Sequence, residues 1–192
     1  MTMRLTFAAT AQPVDEPVTL AELRAQVRVD EAADDAILMG YLIAARQHVE
    51  TYLGRPVMPT PMRAEIEAWP EIGPLWLDAP VISVDGVSYT AADGQPAAWS
   101  DYLVRPAPGG MKAVRPASGA GWPTLGPDPV ISITITAGWT RELLPELVKT
   151  AILQTAAHWF AVREVVNIGN ITSEIPETGK QLLRGKRWRL IG

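Results

Sequence analysis

Apolar residues recur at three- and four-residue steps in three stretches of the chain, the period of a helix with one buried face. The first helix begins after Thr19, because Glu22 stands three positions further on and completes a capping box. The second ends near Leu53, where Gly54 suits the left-handed position after a helix. The third begins near Pro145 and continues to about residue 163 through a segment without proline.

Between the second and third helices, from about Met62 to Ala137, the hydrophobic period changes to two, which is typical of half-buried strands. The clearest strand is 130–136, with isoleucines on one face and hydroxyl side chains on the other. Asp93 and Gly94 form a hairpin turn signal between predicted strands at 81–90 and 99–104. Shorter strands are predicted at 63–69, 75–77 and 111–115, and the remainder of 105–129 is predicted to be loop.

These elements predict an α+β fold: a three-helix bundle, a small antiparallel β-rich insertion between helices 2 and 3, and a C-terminal basic arm. The predicted divisions are an N-terminal segment at 1–16, a helical core at 17–56 and 140–166, the β-rich insertion at 57–139, and a C-terminal segment at 167–192.

Charge is distributed unevenly along the 192 residues, whose net charge is −4. The last fourteen residues, 179–192, carry five basic residues and no acidic one. The rest of the chain keeps 12 of the 17 Lys and Arg residues against all 21 Asp and Glu residues, a net charge of −9. We therefore expect the body and the C-terminal end to contact different surfaces.

Candidate catalytic chemistry is sparse. The chain has no cysteine, which excludes disulfides, a thiol nucleophile and cysteine-ligated metals. His48 and His158 lie in separate predicted helices and are interpreted as structural, and the glycines at 119 and 121 follow no strand-to-helix pattern. We therefore expect no enzyme activity, no cofactor and no metal site, and an uncharacterised hydrolase is only a third alternative. No apolar run reaches the length of a membrane span, and the N-terminus lacks the apolar region of a signal peptide.

Trp188 stands among basic residues at the C-terminal end, with no apolar period around it. A basic arm with an aromatic anchor can dock on an acidic protein surface, bind nucleic acid or stay unattached. The composition alone leaves these three interpretations open.

The order of these signals resembles that of the head–tail connector proteins of tailed bacteriophages, a family of adaptor or head-completion proteins that includes prophage and gene transfer agent adaptors. The resemblance extends from about Pro17 to Arg189 and depends on order and spacing rather than on one diagnostic motif. The segments that carry it are 17–23, 27–30, 42–55, 135–139, Leu144-Pro145, Ala151-Ile152, Arg163-Glu164, Ile175-Pro176 and Leu182-Leu183.

The resemblance implies a structural adaptor that forms a ring, a dodecamer in the particle, below the portal of a phage-like particle. Such a ring extends the DNA channel and joins the head to the tail. The implied partners are the portal protein, a stopper or tail-completion protein, and other copies of the chain. DNA passes through the lumen without sequence-specific binding, and no membrane is involved. The implied location is the neck of a virion or phage-like particle, assembled in the bacterial cytoplasm.

The resemblance also implies that the C-terminal segment docks on the portal. The residues assigned to portal binding are Lys180, Leu182, Leu183, Arg184, Lys186, Arg187, Trp188 and Arg189. The structural alternative is that the two leucines only cap the protein's own core. The functional alternative, from a different class, is a nucleic-acid-binding protein that uses the basic C-terminal arm.

Overall fold

The computed structural model describes Leu5, residues 7–29, 32–77, 80–107 and 111–162, and Leu183. The chain divides into two compact units. A β unit comprises Met1–Val14 and Pro59–Gly138, and a helical unit comprises Asp15–Met58 and Trp139–Gly192. Three helices and antiparallel sheets are present among the described residues, which confirms the α+β class.

The helical unit contains α1 (Leu20–Val27), α2 (Asp35–Leu53) and α3 (Glu146–Ala161). The capping box predicted at the start of α1 is confirmed. The Glu22 backbone N–H donates to Thr19 Oγ1 at 3.2 Å, and the Thr19 N–H donates to the Glu22 carboxylate at 2.7 Å. These two bonds satisfy donors that a helix start otherwise leaves without partners.

The ends of the other helices follow the same local rules. Gly54 closes α2 with φ at 69°, a left-handed conformation in which glycine has no Cβ to clash. The sequence predicted Pro145 in the first turn of α3. In the structure it occupies the N-cap, one position before that turn. The helices share one core of buried residues: Val18, Leu23, Leu38, Leu42, Ala45, Val49, Leu53, Val57, Met58, Leu144, Val148, Ala151, Ile152, Ala156, Phe160 and Leu183.

The β unit contains eight strands in its described part, all paired antiparallel: β1 (Ala8–Ala9), β2 (Thr60–Ile66), β3 (Leu75–Leu77), β4 (Val81–Thr90), β5 (Pro96–Trp99), β6 (Tyr102–Pro106), β7 (Lys112–Pro116) and β8 (Ile131–Ala137). They form a five-stranded sheet in the order β1-β2-β8-β4-β5 and a three-stranded sheet in the order β3-β7-β6. Both sheets contribute buried side chains to a second core, in which Ile131, Ile133 and Ile135 of β8 are fully buried.

The β-rich region, which was predicted only as a small antiparallel insertion, forms two separate sheets. The predicted strand at 99–104 is divided between β5 and β6, which belong to different sheets. The Asp93-Gly94 turn is confirmed, since β4 pairs with β5 and Gly94 has φ at 79°. Strand β1 comes from the N-terminal segment, where no strand was predicted.

Candidate functional site

A buried arginine organises the charged groups of the helical unit. Arg46 on α2 is 2% exposed, and its Nε donates to Glu16 Oε2 at 2.8 Å. Its Nη1 donates to Glu50 Oε2 at 2.7 Å, one helical turn further on. The other oxygen of Glu50 accepts the backbone N–H of Val57 at 2.9 Å. The network therefore links α2 by hydrogen bonds to the segment before α1 and to the residues that follow α2.

Burial shifts the pKa values of two charged residues in this unit. Burial raises the pKa of Glu50 above its ordinary value, while the hydrogen bond from Val57 and the charge of Arg46 lower it. Nearby, the Arg55 guanidinium lies over the Trp139 ring, with Cζ 3.7 Å from the ring centroid. Burial lowers the pKa of Arg55 to about 10, so the group stays cationic at neutral pH. Both arrangements hold charge inside the unit rather than presenting it outside.

Every Asp, Glu, Lys and Arg residue of α2 and α3 has an ion-pair partner within the helical unit. On α2, Asp35 pairs with Arg24, and the Arg46 network includes the remaining two charges. On α3, Lys149 Nζ lies 2.7 Å from Glu146 Oε1. The helices therefore present no uncompensated acidic or basic side chain to a partner.

The exposed side of α2 carries no charged residue and is apolar over its first half. Its exposed positions are Ala36, Ile37, Gly40, Ile43, Gln47 and Thr51, none of which is charged. Ile37 is 47% exposed, and a Cβ added at Gly40 would meet no atom within 4 Å. A glycine inside a helix costs about 1 kcal/mol relative to alanine, and no packing within the described chain requires this one.

Two exposed leucines lie at the start of α3. Leu147, on its first turn, is 44% exposed, and Leu143, just before the helix, is 71% exposed. The two helices thus offer different surfaces, one with Gly40 between the exposed Ile37 and Ile43 and one with exposed leucines. Neither face was predicted from the sequence. The available signal was that the 19-residue α2 holds only three charged residues, Asp35, Arg46 and Glu50.

The two histidines occupy different surroundings. The His48 ring lies 5.7 Å from the Trp159 ring, which packs against the helical core. His158 is exposed and borders an open cavity of about 530 Å³, together with Gln26, Gln154 and Phe160. Among the described residues, no three His, Cys, Asp or Glu side chains come close enough together to hold a metal ion. In that same part of the chain, no helix is long and apolar enough to cross a membrane.

The predicted portal-binding residues fall largely outside the described residues. Leu183 is described, and it is fully buried in the core of the helical unit. Its position agrees with the alternative in which this leucine completes the protein's own core. The other seven lie outside the described residues: Lys180, Leu182, Arg184, Lys186, Arg187, Trp188 and Arg189. Portal binding by this segment stays a prediction.

Comparison with known proteins bears on the segment that contains α1, α2 and β2. Residues 17–73 match the family model of phage gp6-like head-tail connector proteins. The predicted connector resemblance is confirmed. The family match begins at Pro17, where the sequence analysis placed the start of the resemblance.

Solved structures extend the likeness over the whole chain. The chain superposes with a TM-score of 0.74 and 23% identity on a chain from the neck of an empty gene transfer agent (GTA) particle computed with C6 symmetry, covering 97% of this chain and 98% of that one. A chain from the virion of a native GTA particle gives 0.72 and 22%, with 97% and 96% covered. A chain from the neck of a native GTA particle computed with C12 symmetry gives 0.71 and 22%, with 99% and 98% covered. The chain therefore has the fold of these particle proteins. Comparison with curated proteins gave no significant match.

Proposed function

We propose that the chain is a structural adaptor that forms a ring, a dodecamer, below the portal of a phage-like particle. The ring extends the DNA channel and joins the head to the tail, and the chain is located in the neck. The observation that carries the proposal is the connector-family match at 17–73 within a chain that shares the fold of GTA neck chains over 97–99% of its length. The role is structural rather than enzymatic.

The ring requires two different surfaces of each copy to meet, because contacts around a rotation axis are heterologous. We assign these surfaces to the exposed sides of α2 and α3. Their charges are already paired inside the protomer, so the matching partner is a face that likewise has no unpaired charge, which a second copy supplies. The exposed leucines at 143 and 147 of one copy fit the open space at Gly40, between Ile37 and Ile43, of the next.

A charge placed in these faces tests the ring contact. Ile43→Glu and Leu147→Glu each bury a carboxylate at the contact, so we expect heads that carry the portal but lack the ring. Ile72→Glu is the matched control, since Ile72 is 91% exposed but lies in the β unit. All three variants should keep the wild-type melting temperature. Normal ring formation by both helix variants would refute the assignment.

We assign the portal contact to the C-terminal arm, as the sequence resemblance implies. The helical core, a three-helix bundle, anchors the segment through Leu183, and the basic residues and Trp188 beyond it reach the portal. Deleting residues 185–192 should leave the melting temperature unchanged, because Leu183 is retained. Filled heads should then fail to acquire the adaptor and the tail. Normal attachment of the truncated chain would show that the arm is not the docking element.

One observation favours a second candidate function, nucleic-acid binding: residues 179–192 hold five basic residues and no acidic one. A protein that neutralises several phosphates loses affinity steeply as salt rises. An adaptor instead co-purifies with a portal protein at physiological salt. The adaptor function is favoured over nucleic-acid binding if the full chain captures the portal without binding DNA tightly. Deletion of residues 185–192 should then abolish that capture.

A further inference from the structure

The outer face of the three-stranded sheet is basic, in contrast to the chain as a whole, which is acidic. Strand register places Trp76 of β3 opposite Ala113 of β7, and Ala113 opposite Arg105 of β6. Arg115 follows two residues after Ala113 and therefore points to the same side of the sheet. The other side, which includes Leu75, Leu77 and Val114, belongs to the core of the β unit.

This face carries two exposed arginines. Arg105 and Arg115 are both exposed, and Trp76 is 45% exposed. Within the described part of the chain, neither arginine has a carboxylate within ion-pair distance. Diagonal neighbours on adjacent strands have Cα atoms about 7–8 Å apart, so the two guanidinium groups repel each other unless an anion neutralises them. Asp101, just before β6, adds one negative charge at the end of this face.

The outer face of the five-stranded sheet shows the contrast. There Arg63 Nη2 lies 2.6 Å from Glu65 Oε1, and Arg63 Nε donates to Ser132 Oγ. The Asp85 carboxylate accepts hydrogen bonds from the hydroxyl groups of Ser83 and Thr136 at 2.6 and 2.8 Å. The charges of that face are satisfied by neighbours, so it offers nothing to a phosphate.

We propose that the outer face of β3, β7 and β6 contacts the DNA backbone, with Arg105 and Arg115 binding phosphates and Trp76 packing on the adjacent sugars. Arginine presents a planar fork of donors that matches a phosphate, and an aromatic ring beside it supplies apolar contact area without sequence preference. The choice of DNA over an acidic protein rests on the proposed function, because an adaptor ring encloses DNA. On this assignment the three-stranded sheet faces the channel.

Two phosphate contacts per copy make a weak contact that lets DNA slide. Each neutralised phosphate contributes about 0.9 to the slope of log affinity against log salt. The two arginines should therefore account for a slope of about 1.8 per copy. In a ring, the contacts of several copies add without requiring any tight single site.

The test compares full-length variants for binding of a short random-sequence DNA duplex between about 50 and 200 mM salt. Arg105→Gln combined with Arg115→Gln should lower the affinity and flatten the salt slope by about 1.8. Arg63→Gln is the matched control, because its charge is paired with Glu65, and it should bind as wild type does. Trp76→Phe should bind DNA but lose part of the fluorescence quenching that DNA causes in the wild type.

Three results would overturn the proposal: no DNA binding at the lowest salt, an unchanged slope in the double variant, or loss of all binding through Lys186→Gln, Arg187→Gln and Arg189→Gln alone. If the double variant binds DNA normally but its heads lose the tail-side protein, the face docks a protein instead, which also overturns it. Failure of the adaptor function has a separate readout, the absence of the wild-type chain from heads, which does not depend on DNA affinity.

Discussion

Replacing Arg46 by methionine removes the cation at the centre of the helical unit while keeping a side chain of similar length. The substitution leaves Glu16 and Glu50 without their shared partner, although their side chains are only 20% and 18% exposed. Removing one partner of a buried ion pair costs about 3–5 kcal/mol, because the remaining charge stays desolvated. We expect a loss of this size in the free energy of unfolding, measured by urea titration at pH 8 with helix circular dichroism.

The loss should depend on pH in a defined direction. Burial already raises the pKa of Glu50, and Arg46 opposes that rise, so its removal raises this pKa further. A carboxyl group whose pKa is raised on folding destabilises the fold while it is ionised, and the penalty is relieved as pH falls through the raised pKa. The variant should therefore lose less stability at pH 5 than at pH 8.

A matched control separates burial from ion pairing as such. Arg63 forms an ion pair of similar length with Glu65, but the two side chains are 51% and 53% exposed. Arg63→Met should therefore cost no more than about 1 kcal/mol. A loss below about 1 kcal/mol for Arg46→Met, or an equal loss at both pH values, would refute the reasoning.

Four further substitutions have effects that follow from the burial and contacts of the residues they replace. Leu183→Ala should cost about 2–5 kcal/mol of unfolding free energy, because the side chain is fully buried, and a loss below this range would contradict its place in the core. Gly40→Ala should raise stability by about 1 kcal/mol, since the added Cβ meets open space, and a lower melting temperature would oppose this. Gly126→Ala should cost about 1–3 kcal/mol, because its Cβ would lie 2.1 Å from a backbone oxygen, whereas Gly121→Ala, with no atom within 4 Å, is the neutral control. Thr19→Ala should cost about 0.5–2 kcal/mol at pH 7. The backbone N–H of residue 19 is the main cause of the lowered pKa of Glu22 and remains in this variant, whereas the hydroxyl, which also lowers that pKa, is lost. The part of the cost that comes from the hydroxyl should therefore shrink as pH falls through the lowered pKa, and a pH-independent cost would contradict the hydrogen bond from the hydroxyl to the Glu22 carboxylate.

The helix boundaries could be predicted from the sequence because each one is set by residues that are close together in the chain. Thr19 with its capping box, Gly54 after α2 and Pro145 before α3 all act through residues next to them in the chain. The hairpin turn at Asp93-Gly94 is of the same kind. These elements could be predicted without knowledge of the rest of the fold.

Pairings between distant residues could not be predicted in the same way. The division of the predicted strand at 99–104 into two sheets depends on which strands lie beside it, and β1 depends on pairing with β2 about fifty residues away. Leu183 illustrates the same limit at the candidate site. It lies in the basic C-terminal segment, directly before Arg184, yet it is fully buried in the core of the helical unit.

The most direct test of the adaptor is to image heads purified from cells that express this chain with its portal protein. If the proposed function holds, a ring of twelve copies of this chain should lie below the portal, coaxial with the DNA channel. Heads that carry portal and DNA but contain no copy of this chain, or a chain found only as a symmetric dimer in particles, would contradict it.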